Sequence, residues 1–96
     1  MSQHQITHES NGHKGAFVID RDGGRLATMT YTLAGDDLLI IDHTDVSDAL
    51  RGTGAGKALV TAAVDWARSE HKGVMPLCPF ARSVFDKTPE FGDVRR

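Results

Sequence analysis

Arg51-Gly52-Thr53-Gly54-Ala55-Gly56-Lys57 carries three alternate glycines between two apolar segments of opposite character. Ahead of it, Leu38-Leu39-Ile40-Ile41-Asp42-His43-Thr44 is apolar on both faces at its start, as a central strand should be. Behind it, Leu59, Ala63, Trp66 and Ala67 recur at helical spacing, and Val60 and Val64 widen the stripe. The spacing predicts a helix over 57–72, with Trp66 in its core face. The order is therefore strand, glycine loop, helix. Glycines let the backbone turn tightly and leave its amides uncovered. The start of a helix adds unpaired N–H groups and the positive end of a dipole. That combination suits a phosphate, and Arg51 and Lys57 add positive charge. A glycine turn that merely starts a helix is the competing reading.

The spacing narrows the choice of ligand. A nucleotide P-loop has four residues between its first glycine and the Gly-Lys-Ser/Thr. Gly52 and Gly56 enclose only three, and Ala58 stands where the magnesium-binding hydroxyl belongs. A dinucleotide loop needs Gly-x-Gly-x-x-Gly, and here the last gap is one residue short. What remains is Arg-x-x-Gly-x-Gly.

Towards the amino end, residues 16–19 form a short apolar strand. Arg21-Asp22-Gly23-Gly24 is a hairpin turn. Residues 26–33 alternate, with Ala27, Met29, Tyr31 and Leu33 on one face and Thr28, Thr30 and Thr32 on the other. Ala34-Gly35-Asp36-Asp37 turns the chain into the central strand. Residues 1–14 are polar and read as a flexible segment or an edge strand. Towards the carboxyl end, Gly73 is placed to be the left-handed residue that stops the helix. Val74-Met75-Pro76-Leu77 can return parallel to the central strand. Cys78-Pro79 opens a second helix over 80–87, with Phe80, Val84 and Phe85 inward, and Thr88-Pro89 ends it. The fold class is α+β: a three-strand meander, helix, strand, helix, with about four strands in the sheet.

Composition excludes several functions. Ninety-six residues make one small domain. A net charge of −2 argues against nucleic acid as a partner, which calls for a basic stripe. Leu38-Leu39-Ile40-Ile41 is far too short to span a bilayer, so no membrane role is expected. Met1-Ser2-Gln3-His4-Gln5 lacks the apolar centre of a signal peptide. The single cysteine rules out an internal disulfide and a multi-cysteine zinc site. No metal is expected: His4 and His8 share i, i+4 spacing but lie in a polar segment, and Asp20 and Asp22 belong to a hairpin. A soluble, cytoplasmic domain is the expectation.

Four segments carry a resemblance. They are His43-Thr44-Asp45-Val46, the loop with its first helical turn from Arg51 to Val60, Pro76-Leu77-Cys78-Pro79-Phe80-Ala81, and Thr88-Pro89-Glu90-Phe91. Together they resemble a group of very small GNAT-like N-acetyltransferases, and the likeness covers nearly the whole chain. It implies a minimal GNAT acyl-CoA N-acyltransferase fold, with a mixed, mostly antiparallel sheet and two helices. The implied ligand is acetyl-CoA or CoA. Arg51 would open its pyrophosphate loop, and the backbone of Gly52, Thr53, Gly54, Ala55, Gly56 and Lys57 would hold the phosphates. Pantetheine would run between residues 38–44 and 74–77. The group's characteristic histidine and cysteine fall on His43 and Cys78, the implied catalytic pair. The acceptor would be an unidentified amine on a small molecule or a protein. This chain lacks the two helices that usually follow the first strand and help to build the acceptor site. A non-catalytic CoA-binding or protein-interaction module is therefore the alternative.

The two candidate side chains also have local arguments. Proline suits the first helical position, which makes Cys78 the cap residue. A thiolate at a helix start gains from the dipole, and its pKa falls. Such a thiol can accept an acetyl group from a thioester; equally, a lone cysteine packs as a small hydrophobe. A neutral imidazole at His43 can deprotonate Cys78 or an incoming amine; equally, it can be a polar strand end bonded to a loop.

Overall fold

The computed structural model describes residues 4–96. Each turn predicted in the amino-terminal half joins two antiparallel strands. The strands are β1 (Thr7–Asn11), β2 (Lys14–Arg21), β3 (Gly24–Ala34) and β4 (Leu38–Val46). The β2–β3 connection shows why the turn residues matter. Asp22 and Gly23 take φ of 53° and 79°, a pair of left-handed conformations that matches the twist of the flanking strands. After β4 a 3-10 turn, Asp48–Leu50, leads into α1 (Ala55–Ser69). The chain then forms β5 (Gly73–Pro76) and α2 (Pro79–Lys87). All five strands make one sheet in the order β1-β2-β3-β4-β5, and only the β4–β5 pair is parallel.

Both helices pack on one face of this sheet. Phe17, Ile19, Met29, Tyr31, Leu39 and Ile41 meet Leu59, Val60, Ala63 and Val64 of α1 and Ala81, Val84 and Phe85 of α2 in a single cluster. The other face carries Thr28, Thr30, Thr32, Ile40 and Met75, all half-buried. Among the described residues no helix covers that face, and no helix is long and apolar enough to cross a membrane.

Several details differ from expectation. The sheet has five strands rather than four, because part of the polar amino-terminal segment pairs with β2 from Thr7–Val18 to Asn11–Lys14. Backbone hydrogen bonds hold that edge strand. His8 adds a ring contact, stacking on Phe17 with centroids 4.3 Å apart and bonding the Tyr31 hydroxyl at 2.6 Å. Trp66 joins this group half-buried, 5.9 Å from Tyr31. The first helix begins at Ala55 and ends at Ser69, shorter and earlier than predicted. His71 takes the left-handed conformation after it, with φ 57°. Gly73 instead starts β5 with the Arg96 side chain against its Cα, where a Cβ would clash. Phe80 does not point inward: it is 41% exposed, and Ala81 takes the core position.

Candidate functional site

The site is built where β4 and β5 part. Their pairing runs only from Leu38–Gly73 to Ile41–Pro76. Pro76 has no N–H to extend the ladder. The Ile41 carbonyl accepts from the amides of Leu77 (3.1 Å) and Cys78 (3.3 Å), and the chain then turns into α2. Meanwhile β4 continues along β3 as far as Val46. An opening is left between the end of β4 and the start of α2.

Cys78 sits at that opening as the N-cap residue of α2, with Pro79 in the first turn. Its Sγ is buried and lies 3.4 Å from the Thr44 hydroxyl. Burial pushes the thiol pKa up. Hydrogen bonding from the Thr44 side chain, and from the backbone at Ala81, Phe80 and Thr44, outweighs that effect and leaves it below the ordinary thiol value.

His43 lies on the other side of the sheet. In the β3–β4 ladder Thr30 faces His43 and Tyr31 faces Ile41, so β4 holds one extra residue, Asp42. Such a bulge re-aims the side chains around it. His43, paired with Thr30, lies on the uncovered face and is exposed. Thr44, paired with the buried Met29, lies on the helix face beside Cys78. Asp42 lies on the uncovered face, where its Oδ2 accepts from the Thr32 hydroxyl at 2.6 Å. Among the described residues no hydrogen bond joins His43 to Cys78; the partner of the thiol is Thr44. Thr44 was visible in the sequence beside His43, but only the bulge reveals which way it points.

The glycine loop forms the other half of the site. Gly52 and Gly54 take φ of 77° and 79°, and Gly54 is the N-cap of α1. A Cβ at Gly54 would meet nothing within 4 Å, so its conformation and not its packing demands glycine. Gly56 is the reverse case: the Phe80 ring lies where its Cβ would be. Thr53 is tied down, its hydroxyl donating to the Leu50 carbonyl at 2.6 Å and its own carbonyl 3.0 Å from His4 Nε2. The Arg51 guanidinium pairs with Asp48 at 2.8 Å.

Between this loop and α2 lies a cavity of about 410 Å³. Of the predicted loop residues, Arg51, Gly52, Gly54, Ala55, Gly56 and Lys57 line it, and Thr53 does not. The first turn of α1 contains no acidic side chain to repel an anion. The far wall comes from Phe80, Ser83 and Lys87 of α2, which were not among the candidates. Their spacing of three and then four residues puts them on one stripe of α2. The sequence shows that stripe, but only the packing of α2 against the loop shows what it faces.

Residues 16–94 match the family model described as GCN5-related N-acetyl-transferase. No curated protein sequence matches the chain at a significant level. Among solved structures, a GCN5-like candidate N-acetyltransferase from Staphylococcus aureus, determined by NMR, is 35% identical with a TM-score of 0.74; the match covers 100% of this chain and 91% of that one. A ribosomal-protein-alanine N-acetyltransferase from Brucella melitensis biovar Abortus has the same fold, with a TM-score of 0.66 at 19% identity. That match covers 80% of this chain and 62% of the Brucella protein.

Proposed function

The chain belongs to the GCN5-related N-acetyltransferase family, and on that premise we propose that it binds acetyl-CoA and transfers the acetyl group to an amine. The observation that carries this reading is the cavity between the start of α1 and α2, lined by the glycine loop, by Val46 at the end of β4 and by Phe80 in the first turn of α2. The phosphates would rest on the amides of the first turn of α1, with Lys57 and Lys87 on opposite walls. The pantetheine arm would run to the opening, where a thioester passes between the two faces of the sheet.

At that point the chain offers two different groups. From the uncovered face, His43 takes the proton of the incoming amine. The amine nitrogen bonds to the acetyl carbon, and the carbon–sulfur bond breaks with the electron pair leaving on sulfur. From the helix face, Cys78 lies beside the thioester, its thiolate favoured by Thr44 and the α2 amides. The placement of His43 and Cys78 on opposite faces supports His43 as the base for the amine rather than for the thiol.

Binding and turnover are separable tests. Titration with CoA, followed by thermal unfolding and calorimetry, measures binding. Release of CoA thiol from acetyl-CoA in the presence of primary amines measures transfer. Binding without transfer to any amine would favour a CoA-binding module; an absence of binding would remove the assignment altogether.

A further inference from the structure

We propose that His4, in the segment ahead of β1, is a positioning residue for the ligand's phosphates: it holds the Thr53–Gly54 peptide so that the Gly54 amide faces the cavity. This rests on the reading of that cavity as the CoA site, and it adds a residue from outside the matched span of 16–94.

The starting observation is a contact between parts of the chain 49 residues apart. His4 Nε2 lies 3.0 Å from the Thr53 carbonyl oxygen. A carbonyl oxygen only accepts, so Nε2 is the donor. The segment that carries it is seated on the domain: His4 is half-buried, and Ile6 packs against the hydrophobic core.

Peptide geometry says what the contact controls. In a trans peptide the C=O and the following N–H point in opposite directions. Neither His4 nor Thr53 lines the cavity, whereas Gly54 does. A Thr53 carbonyl drawn to His4 therefore turns the Gly54 N–H towards the cavity. Among the described residues no acceptor takes that amide. It joins the amides of Ala55, Gly56 and Lys57, which precede the first bond of α1, from Ala58 to the Gly54 carbonyl at 2.9 Å.

Gly54 alone does not hold this orientation. Glycine takes its φ of 79° about as readily as a negative φ, and no neighbour within 4 Å of a Cβ would resist the change. Rotating ψ of Thr53 together with φ of Gly54 flips the peptide, and an anion would then meet a carbonyl oxygen in place of an N–H. The rest of Thr53 is fixed, since its N–H (3.2 Å) and its hydroxyl (2.6 Å) both donate to the Leu50 carbonyl. Its own carbonyl is held, among the described residues, by His4 alone.

The test uses the full chain, with CoA as the probe and calorimetry as the readout. His4→Phe keeps a ring to pack but loses the donor. His4→Gln loses the ring but carries an amide N–H near the place of Nε2. His4→Phe should raise the Kd for CoA about fivefold, the value of one hydrogen bond, while His4→Gln should stay within about twofold of the native protein. Amide spectra of nitrogen-labelled protein locate the effect: CoA should move the Gly54 resonance in the native protein and in His4→Gln, and less so in His4→Phe. A residue that only packs gives the reverse order of Kd values, and that order would overturn the proposal. So would equal Kd values in all three proteins, or two variants weakened alike. A Gly54 resonance that CoA leaves unmoved in the native protein would also overturn it, and this measurement stands even if His4→Phe fails to fold. In each of these cases CoA still binds, and only the role of His4 is lost. A native protein that binds no CoA removes the reading of the cavity as well.

Discussion

The hydroxyl of Thr44 stands 3.4 Å from the sulfur of Cys78, and it is the side chain that balances the burial of the thiol. Alkylation rates followed against pH should therefore give a thiol pKa below that of a free cysteine. Thr44→Val should move it upward, because burial then acts with less opposition. The linkage has a definite sign. A depressed folded-state pKa stabilises the fold fully above the unfolded value of about 8.5, and that contribution is lost as pH falls through the folded value. Stability should rise through this alkaline window in the native protein and less so in Cys78→Ser.

Ligand binding should be visible as stability. At a CoA concentration about 100-fold above Kd the expected gain is roughly 2.7 kcal/mol. For a domain of this size that is a rise in Tm on the order of 10 °C or more. Lys57→Ala and Lys87→Ala should each reduce the shift, and added salt should narrow the difference between them and the native protein. A well-folded sample that shows no shift in millimolar CoA would count against the cavity as a phosphate site.

Gly54→Val tests the loop itself. A β-branched residue at φ 79° costs roughly 1–2 kcal/mol, so Tm should fall by about 5–10 °C with the circular dichroism spectrum retained. CoA binding should be lost, since the amides of the first turn are re-aimed. A variant that keeps native affinity would reduce the loop to a helix-starting turn.

Mass spectrometry distinguishes the two chemical routes. If Cys78 carries the acetyl group during turnover, incubation with acetyl-CoA should add one acetyl group, absent in Cys78→Ala. If the amine attacks directly, Cys78→Ala should turn over at a rate near native while His43→Ala loses at least tenfold in kcat, within the range of a lost general base. The opposite-face geometry makes the second pattern the expected one. A large loss in Cys78→Ala with CoA affinity retained would reverse that.

A last prediction concerns the amino-terminal strand. Burial holds the His8 pKa below its ordinary value, so the neutral ring favours the fold. That contribution is full above about pH 6.5, the unfolded value, and is lost as pH falls through the folded one. Acid should weaken protection of the β1 amides against hydrogen exchange before those of β3. His8→Phe should remove this step.

The legible parts of the sequence were those where local chemistry alone decides conformation. Asp22-Gly23 could hardly be other than a turn, and Pro79 after Cys78 set the start of α2. The alternation of 26–33 gave a strand with a helix face and an open face. The obscure parts were those set by a neighbour. β1 is polar, and only its ladder with β2 makes it a strand. Phe80 reads as core by its chemistry, yet it lies across Gly56, which has no side chain to exclude it. The candidate site was half visible on the same grounds. The loop backbone could be read from its glycines, whereas Ser83 and Lys87 joined the cavity through helix packing.

Asp42 works as a splice in its strand. Side chains of a regular strand alternate, so after the inward Ile41 and the outward Asp42 an unbulged residue 43 would face the helices. The bulge gives Asp42 and His43 the same face, and the ladder then resumes with His43 opposite Thr30 and Thr44 opposite Met29. Deleting Asp42 would therefore leave a regular strand with Ile41 inward, His43 outward and Thr44 inward, removing a carboxylate and keeping both facings. Straightening the bulge with Asp42 in place is the harsher change, because the imidazole of residue 43 would then turn towards the helices and the hydroxyl of residue 44 towards solvent.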